Sequence, residues 1–159
     1  MVGEPSRSHA EGQGTTVELN EKQLEFVRGH RAAAMITIAR DGMPKAVRIG
    51  VALVDGRLWS SGTAGRVRTK RLRRDPRCTL FVFDPAYDYL SIETEVTILD
   101  GPDAADQNLR LFRVMQNRPD GPLGWYGKDL DEDAFLQAMR DEQRLVYEFE
   151  PRRAYGLHS

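Results

Sequence analysis

Residues 32–64 read AAAMITIARDGMPKAVRIGVALVDGRLWSSGTA. Two Asp-Gly pairs, in ARDGMP (39–44) and VDGR (54–57), interrupt runs of apolar and β-branched residues. Asp-Gly readily takes the positive φ angles that a two-residue hairpin turn requires. The segment therefore predicts three strands, over 33–39, 45–54 and 57–62, joined as an antiparallel meander. No helical stretch separates them, which argues against a doubly wound parallel sheet.

The flanking segments extend this pattern. Residues 19–30 predict a helix capped by Asn20, with Gln23 completing a capping box. Leu19, Leu24 and Val27 form its apolar face, and Gly29 ends it. Residues 66–74 predict a short helix stopped by Pro76. RCTLFVFD (77–84) predicts a fourth strand. DYLSIETEVTILDG (88–101) predicts a long fifth strand, with Leu90, Ile92, Thr94, Val96 and Ile98 on one face. Residues 102–117 predict a helix with Leu109, Phe112 and Met115 on one stripe. A Pro/Gly loop (118–129) and a further helix (131–143) follow. RLVYEFEP (144–151) and RRAYGLH (152–158) close the chain as strands. Short strands and hairpin signals of this density argue for a small barrel with helices at its ends or gaps.

The totals bound the functional classes. A chain of 159 residues is long enough for one domain with a real core. Its formal net charge of −1 gives no global attraction to nucleic acid. The single cysteine, Cys78, excludes an internal disulfide and a cysteine-based metal site. His9, His30 and His158 have no metal-ligand spacing, so no metal is expected. No apolar run approaches the ~20 residues of a membrane span. Residues 1–17 read as a disordered polar tail without the apolar core of a signal peptide, and 18–159 as one domain. The expected location is the cytoplasm.

Charge is nevertheless concentrated locally. SGTAGRVRTKRLRRDPR (61–77) places seven basic residues between Arg66 and Arg77 against one acid, Asp75. A small-residue turn leads directly into the predicted helix. Helix N-termini present free N–H groups and partial positive charge, and arginine holds phosphate by two parallel hydrogen bonds. The hydroxyls of Ser61, Thr63 and Thr69 stand ready as further donors. A solvated charged face is the plain alternative, and Arg73, Arg74 and Arg77 fit it best. No Gly-x-Ser-x-Gly elbow, Walker loop or nucleophile–histidine arrangement is present. An enzyme built on this chain takes its reactive group from a cofactor.

Residues 35–85, from MITIARDGMP through RVRTKRLRRDPR to CTLFVFDP, resemble the split-barrel flavin and deazaflavin oxidoreductases related to pyridoxamine 5′-phosphate oxidase. The likeness continues through IETEVTILD (92–100) to YGL (155–157). It implies a mainly β (α+β) fold, a six-stranded antiparallel split barrel with short flanking helices. Within the family the chain is most similar to the actinobacterial branch that uses coenzyme F420. That resemblance implies a homodimer with the cofactor in a groove at the subunit interface, and a small organic substrate. Arg66, Arg68 and Thr69 match positions that hold the cofactor phosphate, with Lys70 beside them. Ser60, Ser61 and Thr63 lead into that turn. Val47, Arg48, Ile49 and Gly50 match the strand beside the tricyclic ring.

The implied activity is hydride transfer from reduced F420 to an electron-poor acceptor. FMN is the alternative cofactor, in an oxidase acting on a pyridoxine phosphate. A non-catalytic carrier of flavin, deazaflavin or tetrapyrrole is the third reading. Arg28 and Arg31 are placed to add charge for the deazaflavin's acidic tail, and Trp59, Trp125 and Tyr126 to wall the substrate side. Trp125 and Tyr126 read as a lid. Arginine at position 71, where the family often carries asparagine, and glutamates at 93 and 95 depart from the family pattern.

Overall fold

The computed structural model describes residues 15–156. The elements run α1 (Glu21–Gly29), β1 (Ala32–Ile38), β2 (Pro44–Gly50), β3 (Ala52–Val54), β4 (Arg57–Thr63), α2 (Val67–Arg74), β5 (Arg77–Phe83) and β6 (Tyr89–Leu99). They continue with α3 (Ala104–Met115), β7 (Leu123–Trp125), β8 (Lys128–Leu130), α4 (Glu132–Asp141) and β9 (Arg144–Tyr155). His9, His158 and most of the expected tail lie outside the described residues. Residues 16 and 17, placed in that tail by sequence, dock on β9: the Val17 amide donates to the Pro151 carbonyl at 2.9 Å.

The main sheet is antiparallel with strand order β2-β1-β5-β6-β9-β4-β3. It has seven strands, which corrects the expectation of six. The stretch 45–54 is not one strand but two, divided at Val51. β2 is one edge of the sheet and β3 the other, yet a single residue joins them. That connection is possible only if the sheet curls until its edges meet. Two bonds hold the seam: the Val51 amide donates to the Arg31 carbonyl at 2.7 Å, and the Ser60 hydroxyl to the Gly50 carbonyl at 2.6 Å. The result is a split barrel with, among the described residues, four helices around it.

The terminal pair of predicted strands is also one strand, β9, which runs through Pro151. Proline cannot donate to the ladder, and the β6–β9 register slips at Glu93/Thr94, opposite that point. The loop predicted over 118–129 contains a second small sheet, β7–β8. Its turn residues Tyr126 and Gly127 have φ of 49° and 76°, matching Asp55 and Gly56 (49° and 76°) in the β3–β4 hairpin. A tyrosine is an unusual occupant of this conformation, so the turn carries no sequence signal of the Asp-Gly kind.

Side-chain alternation places Met35, Leu80, Leu90, Ile92 and Tyr147 inside the barrel, all fully buried. Val27 of α1 joins this core. The capping box of α1 forms in both directions, each bond 2.9 Å long. A second cluster, Trp59, Leu111 and Val146 among others, seats α3 on the barrel. A third, Leu123, Phe135 and Met139, joins α4 and the β7–β8 ribbon to α3. The buried residues of α3 are Ala104, Asn108 and Leu111; of the predicted stripe, partly buried, Leu109 and Phe112 pack against the third cluster and Met115 against the second.

Candidate functional site

The basic stretch resolves into separate tasks. Arg73 pairs with Asp100 at 2.9 Å, Arg77 with Asp75 at 2.7 Å, and Arg74 donates to the Ile38 carbonyl at 2.5 Å. The hydrogen bond from Arg77 holds the Asp75 carboxyl below the usual carboxylate range. Arg66 is the exposed N-cap of α2, and Lys70 is exposed one turn later. Thr69 points the other way. It is fully buried, donates to the Thr63 carbonyl at 2.7 Å and meets the Tyr147 hydroxyl. Thr69 therefore fastens α2 to the barrel.

Of the seven basic residues Arg68 alone lines a cavity of about 320 Å³. The cavity lies where the seam of the barrel meets the helices. β2 supplies Arg48, Ile49 and Gly50, and β4 supplies Ser60 and Ser61. Phe112 and Met115 of α3, Trp125 and Tyr126 of the ribbon, and Arg144 at the start of β9 complete the wall. Eight of the sequence-predicted residues are thus brought together: Arg48, Ile49, Gly50, Ser60, Ser61, Arg68, Trp125 and Tyr126. Val47, Thr63, Arg66, Thr69 and Lys70 are not in this lining. Phe112 and Met115 were hidden from sequence reading because their spacing looks like a helix's core stripe. Arg144 was hidden because it resembles an ordinary strand start.

The wall carries three arginines and no acid. Arg144 is held by Glu142, with Nη2 donating to Oε1 at 3.0 Å, and its guanidinium lies 5.0 Å from the centre of the Trp125 ring. Nε of Arg68 is buried and has no hydrogen-bond partner among the described residues. A buried donor left without a partner costs about 1–3 kcal/mol, so this atom is a place for an incoming acceptor. Beside these cations stand Ile49, Phe112, Met115 and the Trp125 ring. The residues present fit an anionic group joined to a flat apolar one.

Several expectations for neighbouring residues are corrected. Trp59 does not wall the cavity. It is buried under α3, where its Nε1 donates to Glu148 at 2.8 Å. Trp125 is not a free lid: it belongs to β7, donates from Nε1 to Glu142 at 2.8 Å, and packs edge-on against Phe112 and Phe135. Tyr126, at the ribbon tip, is 79% exposed. Arg28 pairs with Glu25, and Arg31 donates to the Val114 and Met115 carbonyls at the end of α3. Neither adds charge to the cavity. Among the described residues no group of three or more His, Cys, Asp or Glu side chains is arranged to hold a metal, and no helix is long and apolar enough to cross a membrane.

Comparison with known proteins agrees with this architecture. Residues 19–158 match the family model described as pyridoxamine 5′-phosphate oxidase. No curated protein matches the chain. Among solved structures, a conserved hypothetical protein from Mycobacterium tuberculosis superposes with a TM-score of 0.70 at 23% identity, over 90% of this chain and 86% of that one. A protein described as an F420 reductase superposes at 0.60 with 20% identity, over 86% and 98%. A putative pyridoxamine 5′-phosphate oxidase from Listeria innocua gives 0.60 at 14%, over 87% and 97%. At these identities the likeness is one of fold.

Proposed function

Because this chain belongs to the pyridoxamine 5′-phosphate oxidase family, we propose that it is an oxidoreductase that binds coenzyme F420 in the arginine-lined cavity and reduces an electron-poor small organic substrate. The observation that carries this reading is the unpartnered, buried Nε of Arg68, set among further guanidiniums and an apolar wall. A phosphate satisfies that donor, and a tricyclic ring suits Ile49, Phe112 and Met115. When bound, the reduced deazaflavin supplies the hydride.

The chain's own contribution is binding and orientation. Arg68 and Arg48 attract the anionic part of the ligand by charge-assisted hydrogen bonds. Gly50 keeps the wall low: a Cβ there would stand 2.4 Å from the Met115 terminal methyl. Trp125 and Tyr126 border the space left for the acceptor, and the ribbon holding them is braced by Glu142 and Arg144.

The same reading includes a second copy of the chain. One side of the sheet, opposite the core, carries Ala34, Ile36, Ile38, Phe81 and Phe83, and Phe83 is 54% exposed. Arg48 stands beside Ala34 in the same register, on the same side. A copy packed there would cover the apolar side and close the cavity from Arg48 outward. Light scattering of the purified protein should give twice the 18.0 kDa chain mass. A monomer would remove the second wall from this reading.

The test of the cofactor is a fluorescence titration of the apoprotein with F420 and, in parallel, with FMN. Tighter binding of F420 is expected, followed by turnover of the reduced form with a panel of activated alkenes. The reverse preference assigns the cavity to flavin. Tight binding with no turnover assigns it to a carrier.

A further inference from the structure

Asn108 is an amide with no exposed surface, in the middle of α3, where an apolar residue would be expected. Its Nδ2 donates to the Ala104 carbonyl at 2.9 Å, which fixes the orientation of the amide. Its Oδ1 therefore faces β4, where it accepts from the Ser61 hydroxyl at 2.6 Å. A hydroxyl has one proton and two lone pairs. With its proton committed to Asn108, Ser61 offers the cavity lone pairs only. Ser60 is in the same state, because its proton is committed to the Gly50 carbonyl. Both serine hydroxyls of the cavity are therefore hydrogen-bond acceptors.

An acceptor-only hydroxyl repels a phosphate oxygen and welcomes an N–H or O–H. This divides the cavity into two chemistries, with guanidiniums for the anion and serine lone pairs for a donor on the uncharged part of the ligand. We propose that Asn108 is a positioning residue that locks Ser61 as an acceptor, so that Ser61 recognises a donor group of the deazaflavin or flavin core and takes no part in holding the phosphate. The inference deepens the reading of the site given above and rests on it. It also reverses the expectation that Ser61 donates to phosphate.

The test compares each cofactor with its phosphate-free core: F420 against the deazaflavin nucleoside, and FMN against riboflavin. Dissociation constants are measured by fluorescence for wild type, Ser61→Ala, Asn108→Leu and the double variant. Ser61→Ala should weaken the phosphorylated ligand and its core by the same factor, about three- to tenfold, the worth of one neutral hydrogen bond. Asn108→Leu frees the Ser61 proton and should weaken both ligands by a smaller common factor. It should have no further effect once Ser61 is alanine, since a positioning residue acts only through the group it positions.

Loss confined to the phosphorylated ligand in Ser61→Ala would overturn the proposal, as would no loss with either ligand. An Asn108→Leu effect that persists undiminished in the Ser61→Ala background would also overturn it. Ser61→Ala removes a single oxygen and carries the test if Asn108→Leu does not fold. If wild type binds none of the four ligands, the cofactor reading itself fails and takes the inference with it. That outcome is distinct from binding without the expected pattern.

Discussion

Thr69 and Tyr147 meet hydroxyl to hydroxyl inside the barrel, and neither has any exposed surface. Thr69 spends its proton on the Thr63 carbonyl, so the Tyr147 phenol must donate to Thr69. The pair ties helix α2 to strands β4 and β9, and α2 is the element that carries Arg68. Thr69→Val keeps the shape, strands the Tyr147 hydroxyl and takes one of its donors from the Thr63 carbonyl, which keeps the Arg66 amide. We expect a loss of about 1–3 kcal/mol in unfolding free energy, read from urea denaturation. An unchanged midpoint would mean that the Thr69–Tyr147 pair does not anchor α2.

Gly62 lies under the same ring. A Cβ at Gly62 would stand 2.4 Å from the Tyr147 ring carbon and hydroxyl. Tyr147 is enclosed on all sides and cannot move aside cheaply. Gly62→Ala should destabilise by about 1–3 kcal/mol through overpacking. Combining it with Tyr147→Leu, which vacates the space, should recover part of that loss.

Arg68 and Arg66 are two residues apart and separate the cofactor reading cleanly. Arg68 lines the cavity with a buried Nε that has no hydrogen-bond partner among the described residues, whereas Arg66 is exposed and outside the lining. Arg68→Ala should raise the cofactor dissociation constant about tenfold or more, the worth of a charge-assisted hydrogen bond. Arg66→Ala, which alters an exposed cap, should have the smaller effect. Equal effects in a binding titration would place the phosphate at the mouth of α2 and outside the cavity.

Cys78 supplies a pH test. Burial pushes its thiol up to about 12, against ~8.5 for a free thiol. The native protein keeps this proton where the unfolded chain has lost it, so the contribution is intact below about pH 8.5 and declines as pH rises toward 12. Unfolding free energy should fall between pH 9 and 10.5 with a slope of up to ~1.4 kcal/mol per pH unit from this group. Cys78→Ala should remove that part of the slope, leaving the part due to other groups. The native thiol should also resist alkylation at neutral pH and react once the chain is unfolded.

Residues whose neighbours in the chain set their conformation were legible early. The α1 capping box and the Asp55-Gly56 turn are local chemistry, and both formed as read. The β6 alternation likewise put Leu90, Ile92, Thr94 and Val96 inside. The break at Val51 was not legible, because the residues on either side of it are equally good strand formers. It depends on the two sheet edges meeting, which is a property of the closed barrel. The Tyr126-Gly127 turn was missed for the converse reason, since its conformation is imposed by the strands it joins.

The candidate site divides along the same line. The chain alone announced a mainly β barrel, a short arginine-rich helix after a small-residue turn, and strand residues around Arg48 and Ser61. Periodicity, turn chemistry and charge are all carried by residues within a few positions of one another. Which of seven basic side chains enters the cavity was settled by the helix's rotation on the barrel, and Thr69 facing Tyr147 sets that rotation. The inward turn of Asn108, the arrival of Arg144 beside Trp125 and the committed protons of Ser60 and Ser61 arise from contacts between elements 10 to nearly 50 residues apart. A hydroxyl is donor or acceptor according to what stands opposite it, and that neighbour exists only once the barrel has closed.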